Sequence, residues 1–387
     1  MILFWYTVAE LIFPMALATG VLSSIMLMDQ VYKFVPFLKT TGLELEPLLL
    51  MIVYSTPTIL MLSLPISVMI GTYVGINRLS QDYEVIAMRA AGVSMSNFFK
   101  PVVFVATLLA MLVGFLTMFA SPWGARSLEQ LKYDILKQQT KINLAADKIN
   151  NFFDQKSIYV FEKEGDWLNG VVISDWENPF ESNITEAKQG RIRFNEQQKT
   201  VFLQLFHGRI HQTLEGDKHR VLDFAQLEYN LSPPDPDRSN LPNRYRNPTE
   251  GPRLNDMQMS VTRLVREIKS HPAGSQGYLE YLDEFHGRVA TILSCIVFSL
   301  FALPMGIFDP RNPKTMRFVY MILMMIAYYS FYSKARGLMV QGKTSALMIY
   351  LPLAVALAIG LVNYLKINYD FSTLSEWFHI KSKYKKT

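Results

Sequence analysis

The chain has 387 residues with a formal net charge of +5 at pH 7, and 50% of the residues are hydrophobic. The apolar residues are clustered in stretches that are almost free of charge. This pattern excludes an ordinary soluble globular protein, because an unpaired charge inside a membrane is costly and a segment that must cross lipid avoids it.

Several apolar stretches are predicted to cross a membrane as helices, since about 20 apolar residues span a hydrocarbon core of about 30 Å. The six predicted spans cover residues 11–28, 48–76, 102–120, 289–307, 318–332 and 345–365. No Lys or Arg precedes the first stretch, which indicates an uncleaved span rather than a signal peptide. With the N-terminus inside, the short inner segments carry more Lys and Arg than the outer ones. The positive-inside rule therefore predicts that both termini are cytoplasmic.

The first span ends near Lys33, whose ammonium group can contact an anionic lipid headgroup at the outer membrane surface. The alternative is that this side chain simply snorkels to water. The second span contains Pro57 and Pro65, which predict a kink because proline frees backbone carbonyl groups.

Residues 77–94 form a short polar interval between the second and third predicted spans, and they predict a separate helix at about 80–91. Ser80 is predicted to cap this helix and Gly92 to end it. Helical spacing predicts one shared face for Leu79, Tyr83, Ile86 and Ala90. The polar positions elsewhere on the helix are Gln81, Asp82, Glu84 and Arg89. An amphipathic helix across the ends of two spans can dock into a soluble partner, although a solvated turn has the same periodicity.

Residues 122–284 form a long insert after the third span, beginning at an interfacial stop around Ser121-Pro122-Trp123. Short β-rich runs at about ten-residue spacing predict an all-β sandwich or jelly roll. The predicted strands cover residues 157–161, 170–175, 190–194, 200–206, 209–213 and 220–229. Alternation along residues 199–206 predicts that Phe202 and Phe206 face an apolar interior, which is either the core or a ligand groove.

Residues 232–252 are rich in Pro, Asn and Asp, which predicts a mobile loop. Before the fourth span, Glu280, Glu284 and Arg288 follow one another at i, i+4 spacing, so a local acidic-to-basic pair is available. Arg288 could instead receive an anionic ligand. The basic tail at residues 367–387 predicts attachment to anionic lipid headgroups.

Together these segments predict an α+β membrane protein with six transmembrane helices and a β-jelly-roll-like domain inserted between helices three and four. The predicted domains are residues 1–121, 122–284, 285–366 and the tail 367–387.

No catalytic residues, cofactor site, metal site or nucleic-acid partner are predicted for this chain. Residues 337–344 match the phosphate-binding pattern G-x-x-x-x-G-K-[ST], but they join two predicted spans rather than a buried strand and a helix. His207 and His211 have a spacing that suits a metal on a helix, yet their surroundings predict strands and a turn. Cys295 is the single cysteine, so no intramolecular disulfide can form.

Over nearly its full length the chain resembles the LptF/LptG family of lipopolysaccharide-export permeases. Residues 82–94 are similar to the family's coupling stretch E-x-x-x-M-x-A-x-G-(hydrophobic)-S, with Glu84 at the acidic position. Pro122-Trp123 and Asp309-Pro310-Arg311 look more like LptF than LptG. The N-terminus departs from the family in lacking basic residues, and the loop at 232–252 is a second departure.

The resemblance implies a half-transporter in the inner membrane of a Gram-negative bacterium. It would pair with a homologous, LptG-like permease and be driven by a separate, LptB-like cytoplasmic ATPase dimer that binds the ATP. Glu84 would meet a basic site of that ATPase, within a coupling stretch that includes Asp82, Tyr83 and Arg89.

The resemblance also implies a path for the substrate. Lys33 and Lys334, with Arg288 as a further candidate, would contact lipopolysaccharide phosphates or core sugars. The β-domain, including Phe202 and Phe206, would pass acyl chains toward LptC/LptA-like bridge proteins in the periplasm.

Two alternatives remain open. One is a different ABC-type permease for lipids or lipoproteins, although such chains usually have four spans. The other is a membrane-bound enzyme or a sensor that binds a lipid or other ligand with its β-domain and needs no ATPase.

Overall fold

The computed structural model describes residues 2–41, 45–93, 96–143, 148–151, 156–165, 167–178, 181–195, 200–214, 218–230, 259–307 and 316–368. The predicted loop at 232–252 and all but the first two residues of the predicted tail lie outside these ranges. The chain divides into two compact units. The first comprises Met1–Leu27, Thr56–Pro122 and Asp256–Thr387, and the second comprises Met28–Ser55 and Trp123–Asn255.

Helices dominate the described residues outside the sheet. They are α1 (Ile2–Thr41), α2 (Leu45–Gln81), α3 (Glu84–Ala90), α4 (Ser96–Phe115), α5 (Ser121–Asn143), α6 (Val261–Ser270), α7 (Gln276–Gly306), α8 (Met316–Val340) and α9 (Leu351–Asn368). A π-helical turn, Leu116–Ala120, joins α4 to α5, and a 3-10 turn, Ala346–Tyr350, precedes α9.

Among the described residues, 5 helical segments are long and apolar enough to cross a membrane. They are Ile2–Phe34, Glu46–Gln81, Phe99–Ile135, Gln276–Gly306 and Ala346–Lys366. The predicted fifth span falls on α8, whose 25 residues could cross a bilayer by length but include several tyrosines and basic side chains that reduce its apolarity. The count of six spans therefore stays a prediction.

Helix continues through Ser121-Pro122-Trp123, and the membrane boundary predicted there stays a prediction. α5 begins at Ser121 directly after the π-helical turn. Pro122 has no N–H to donate to the preceding turn, and a wide turn just before it accommodates this loss.

α1 and α2 approach each other so closely that only glycine fits between them. A Cβ on Gly71 would lie 2.2 Å from Met15 Cγ and 2.6 Å from Met15 Cα, and a Cβ on Gly75 would lie 2.9 Å from the carbonyl oxygen of Glu10. The spacing is the G-x-x-x-G pattern that brings membrane helices into close contact.

The core at this end of the first unit draws on several helices. Its buried residues are Val8, Leu11 and Met15 of α1, Val68, Ile76 and Leu79 of α2, Val85 of α3, Val102 and Val105 of α4, and Leu303 and Ile307 at the end of α7. Ser80 is also buried here and donates to the carbonyl oxygens of Ile76 and Gly306, both at 3.0 Å. The prediction that Ser80 caps α3 is therefore wrong, because α2 runs past it to Gln81.

The second unit contains an antiparallel sheet. Its strands are β1 (Lys148–Asn151), β2 (Lys156–Glu164), β3 (Trp167–Asn178), β4 (Glu181–Asn195), β5 (Thr200–Leu214) and β6 (Lys218–Asn230). These 6 strands pair in the order of the chain as a simple meander. The predicted β-rich insert is confirmed, but the described strands do not show the two packed sheets of a jelly roll.

One face of this sheet is the core of the second unit. On β5, Val201, Leu203 and Leu205 are fully buried, whereas Phe202 and Phe206 lie on the opposite face and are only half-buried. The prediction that these two phenylalanines face the interior is wrong, since the side-chain period of two sends neighbouring residues to opposite faces.

The alternation of buried residues shifts by one position partway along the sheet. On β3 the buried positions pass from Leu168 to Val171, and Gly170 between them has φ of +63°. His207 on β5 also has a positive φ, +51°. The ring of Phe161 covers Gly170, where a Cβ would lie 2.7 Å from Phe161 Cδ2.

We predict that Gly71→Ala destabilises the detergent-solubilised chain by about 1–3 kcal/mol, because the added methyl group overlaps the backbone of Met15. Gly20→Ala is the matched control, since a Cβ on Gly20 meets no described atom within 4 Å. Thermal unfolding midpoints measure both effects. Equal midpoints for the two variants would show that α1 and α2 do not pack this closely.

Candidate functional site

α3 is a 7-residue helix that lies between two residues with left-handed backbone conformation, Tyr83 and Gly92. Tyr83 precedes it with φ of 59° and ψ of 7°, which turns the chain away from α2. At the other end Gly92 has φ of +80° and donates to the carbonyl oxygen of Arg89 at 3.0 Å. The predicted helix and its end at Gly92 are confirmed, although it begins at Glu84 rather than near Ser80.

α3 buries one apolar side chain in the core and leaves others exposed. Val85 is 3% exposed and joins the apolar core, with Met88 packed beside it. Tyr83 is 50% exposed and Ile86 is 42% exposed, so these two side chains do not form the buried face. Arg89 is also exposed. Tyr83, Glu84, Ile86 and Arg89 together form what we call the α3 surface.

The first turns of α1 contact the polar residues around α3. The hydroxyl group of Tyr6 donates a hydrogen bond to Glu84 Oε1 at 2.8 Å. One turn further along α1, Glu10 Oε2 lies 3.1 Å from Arg78 Nη1, and Arg78 Nε is 4.0 Å from Asp82 Oδ2. Sequence analysis missed Tyr6 and Glu10, because no local pattern links them to partners so distant in the chain.

The two lysines predicted to bind substrate are both accessible. Lys33 lies 2.7 Å from Asp29 Oδ2 on α1, and its side chain remains 50% exposed. Lys334 is exposed on α8. A partly exposed ion pair is weak in water, so the ammonium group of Lys33 can exchange Asp29 for another anion at little cost.

Arg288 is buried, and the neighbouring carboxylate of Glu284 balances its charge. Its side chain is 4% exposed and donates from Nε to Glu284 Oε1 at 2.9 Å and from Nη1 to the carbonyl oxygen of Met259 at 3.0 Å. The predicted i, i+4 pair with Glu284 is confirmed. This burial argues against the alternative in which Arg288 receives an anionic substrate.

A larger ion-pair cluster surrounds Arg288, and sequence analysis missed its main cross-link. Arg336 of α8 donates to Asp283 Oδ2 of α7 from Nε at 2.9 Å and from Nη2 at 2.7 Å. It also reaches Glu284 Oε2 at 3.4 Å. A Cβ on Gly287 would lie 3.2 Å from Arg336 Cζ, so the glycine makes room for the guanidinium group.

Phe206 and Phe202 belong to an outward face of the sheet. The ring of Phe206 lies 5.7 Å from that of Trp167, and the guanidinium carbon of Arg191 lies 5.7 Å from the Trp167 ring centre. Phe202 pairs in register with Arg193 on β4. We call this combination of aromatic and basic side chains the outer sheet patch.

Residues 337–344 do not have the geometry of a phosphate-binding loop. α8 runs to Val340 and ends in a turn in which Gly342 has φ of +70°. The C-terminus of a helix presents carbonyl oxygens, which repel phosphate rather than bind it. Among the described residues, no group of three or more His, Cys, Asp or Glu side chains could hold a metal ion.

Comparison with known proteins identifies a family. The sequence model of the family described as "Lipopolysaccharide export system permease LptF/LptG" matches residues 5–366. No curated protein matches the chain.

We predict that Arg336→Met destabilises the first unit by about 3 kcal/mol or more, because it leaves the Asp283 carboxylate buried without its cation. Arg263→Met is the control, since Arg263 is 3.9 Å from Glu267 in an exposed pair that contributes less than about 1 kcal/mol. Adding Asp283→Asn to Arg336→Met is expected to recover part of the loss. Unfolding in denaturant measures the free energy of unfolding of all three variants. Equal losses of this free energy for Arg336→Met and Arg263→Met would contradict the prediction.

Proposed function

The chain belongs to the LptF/LptG family of lipopolysaccharide export permeases, and from this membership we propose that it is the transmembrane subunit of an ABC transporter. It extracts lipopolysaccharide from the inner membrane and passes it through the β-rich unit toward the outer membrane. A separate cytoplasmic ATPase dimer supplies the energy. The chain itself has no catalytic role in this proposal.

The observation that carries the proposal is the α3 surface. It presents the carboxylate of Glu84 beside exposed Tyr83 and Ile86, while buried Val85 anchors the helix in the apolar core. A partner groove with a basic group and apolar walls is complementary to this combination of charge and apolar area. Because α3 is anchored, a displacement of the helix has to move the core residues packed against Val85.

The substrate's chemistry fits the exposed lysines. Lipopolysaccharide carries phosphates and several acyl chains. A permease therefore needs cations at the periplasmic surface of the inner membrane and apolar side chains within the membrane. Lys33 and Lys334 provide such cations, and the exposed apolar residues of α1, including Phe13, Leu17 and Ile25, provide apolar surface. Arg288 is left out of this proposal because it is buried against Glu284.

The β-rich unit would receive the acyl chains after extraction. The outer sheet patch, which contains Phe206, offers accessible apolar contact, whereas the face that contains Leu203 is already buried in the core. We propose the outer sheet patch as the substrate contact, because its aromatic rings can pack against acyl chains and Arg191 adds positive charge for phosphates.

The remaining partners follow from the same proposal. The chain pairs with a homologous, LptG-like permease. This chain is the LptF-like half, because Pro122-Trp123 and Asp309-Pro310-Arg311 resemble LptF more than LptG. LptC/LptA-like bridge proteins would take over the substrate in the periplasm. The proposed orientation places α3 and both termini in the cytoplasm and the β-rich unit in the periplasm.

We predict that Glu84→Arg abolishes stable co-purification of the ATPase, because the new cation repels the basic group of the partner. Gln81→Arg, which introduces an arginine at an exposed position close in sequence and keeps the Glu84 carboxylate, is the control and should retain most of the ATPase. The ratio of ATPase to permease is measured by quantitative immunoblotting after the tagged complex is purified in detergent. An unchanged ratio for Glu84→Arg would contradict the coupling role of α3.

We predict that photo-crosslinking probes at Lys33 and Lys334 capture lipopolysaccharide without ATP, and that a probe at Phe206 captures it only when ATP is supplied. Membranes containing the whole transporter are used for each probe. Phe104, an exposed residue that contacts Trp5 near the start of α1, is the control and should capture none. If no substrate probe captures lipopolysaccharide in an intact complex, the substrate assignment fails.

A further inference from the structure

The start of α1 reaches the proposed coupling carboxylate directly. Tyr6 is half exposed, and its hydroxyl group donates to Glu84 Oε1 at 2.8 Å across 78 positions of sequence. Among the described residues, this is the one hydrogen bond that the Glu84 side chain makes. The second carboxylate oxygen, Oε2, accepts no hydrogen bond from the described part of the chain.

Two further contacts hold Tyr6 in place. Gly75 of α2 lets the backbone of α1 approach so closely that a Cβ there would lie 2.9 Å from the Glu10 carbonyl oxygen. Glu10 also lies 3.1 Å from Arg78. Tyr6 and Glu10 are one helical turn apart, so α1 is fixed to α2 immediately beside the hydroxyl group that contacts Glu84.

The chemistry of this bond favours a positioning role. A glutamate side chain has several rotatable bonds, and ordering it during binding costs free energy. A phenol hydroxyl group orders the carboxylate before the partner arrives, yet it is neutral and leaves the negative charge intact. The hydroxyl group occupies one carboxylate oxygen and leaves the other for a cation. A salt bridge from Lys or Arg would also order the carboxylate, but it would cancel part of its charge.

We propose that Tyr6 is a positioning residue that holds the Glu84 carboxylate in the orientation bound by the basic group of the partner ATPase. This inference rests on the proposed coupling function of α3. It assigns the first turns of α1 to the docking site, next to the α3 helix itself.

The test compares Tyr6→Phe with Tyr320→Phe in the full permease complex reconstituted in nanodiscs. Phenylalanine keeps the ring of Tyr6 and removes only its hydroxyl group. Tyr320 is exposed on α8, and its hydroxyl group has no partner among the described residues. We expect Tyr6→Phe to weaken ATPase binding by about 2- to 10-fold, the range for losing preorganisation of one charged side chain. Tyr320→Phe is expected to change it less than about 1.5-fold, within the usual effect of a surface substitution.

A double-mutant cycle with Glu84→Ala separates positioning from a general structural effect. Tyr6→Phe should have no further effect on binding when Glu84 is already alanine, because the hydroxyl group then has no carboxylate to orient. Glu84→Asp provides a second route to the same loss, since its shorter side chain keeps the charge but withdraws the carboxylate from Tyr6. Thermal unfolding checks that each variant is folded.

The outcomes distinguish this inference from the function on which it rests. If Glu84→Ala leaves ATPase binding unchanged, the coupling function itself fails. If Glu84→Ala weakens binding and Tyr6→Phe does not, only the positioning role is overturned. It is also overturned if Tyr6→Phe weakens binding equally in the Glu84→Ala background, because the hydroxyl group would then act through something other than the carboxylate.

Discussion

The close approach of α1 to α2 at Gly71 and Gly75 is the constraint on which the polar end of the first unit depends. With no side chain between the two backbones, α1 lies within reach of the segment that follows α2. Glu10 then meets Arg78, and Tyr6 meets Glu84. A larger residue at either glycine would move α1 outward and separate these pairs together, although none of their members would have changed.

The short helix α3 depends on this packed end for its existence. An isolated helix of 7 residues is unstable in water, because nucleation costs more than so few hydrogen bonds return. Burial of Val85 among residues of four other helices supplies the missing stability. The helix is therefore mechanically part of the core, while Tyr83 and Ile86 remain exposed for a partner. This combination of an anchored inner side and an open outer side is what a force-transmitting contact requires.

Features that depend on residues close together in the chain were predicted from the sequence, whereas contacts between distant residues were not. Long apolar stretches, the helix between α2 and α4, the turn at Gly92 and the i, i+4 pair of Glu284 with Arg288 depend on residues close in the chain, and all were predicted. The contacts of Tyr6 with Glu84 and of Arg336 with Asp283 join distant residues, and no local pattern encodes them.

The misplacement of Phe202 and Phe206 has a different origin. Residues of β5 alternate between faces, and both faces carry large apolar side chains: Val201, Leu203 and Leu205 on one, Phe202 and Phe206 on the other. Alternation alone therefore did not decide which face is buried. The shift in alternation at Gly170 adds a second ambiguity. At Ser121-Pro122-Trp123, the sequence predicted an interfacial stop but did not reveal that a π-helical turn before Pro122 lets the helix continue there.

The two polar clusters of the first unit differ in a way that bears on which of them can bind a charged partner. Asp283 and Glu284 face Arg288 and Arg336, so opposite charges compensate within a buried site, and a ligand would have to break these pairs before it gained any. Glu84 instead has a neutral donor in Tyr6, which fixes the carboxylate without compensating it. Its negative charge remains available at the surface. A cation that docks there exchanges only water for the carboxylate, and the orienting hydrogen bond can persist in the complex because it uses the other oxygen.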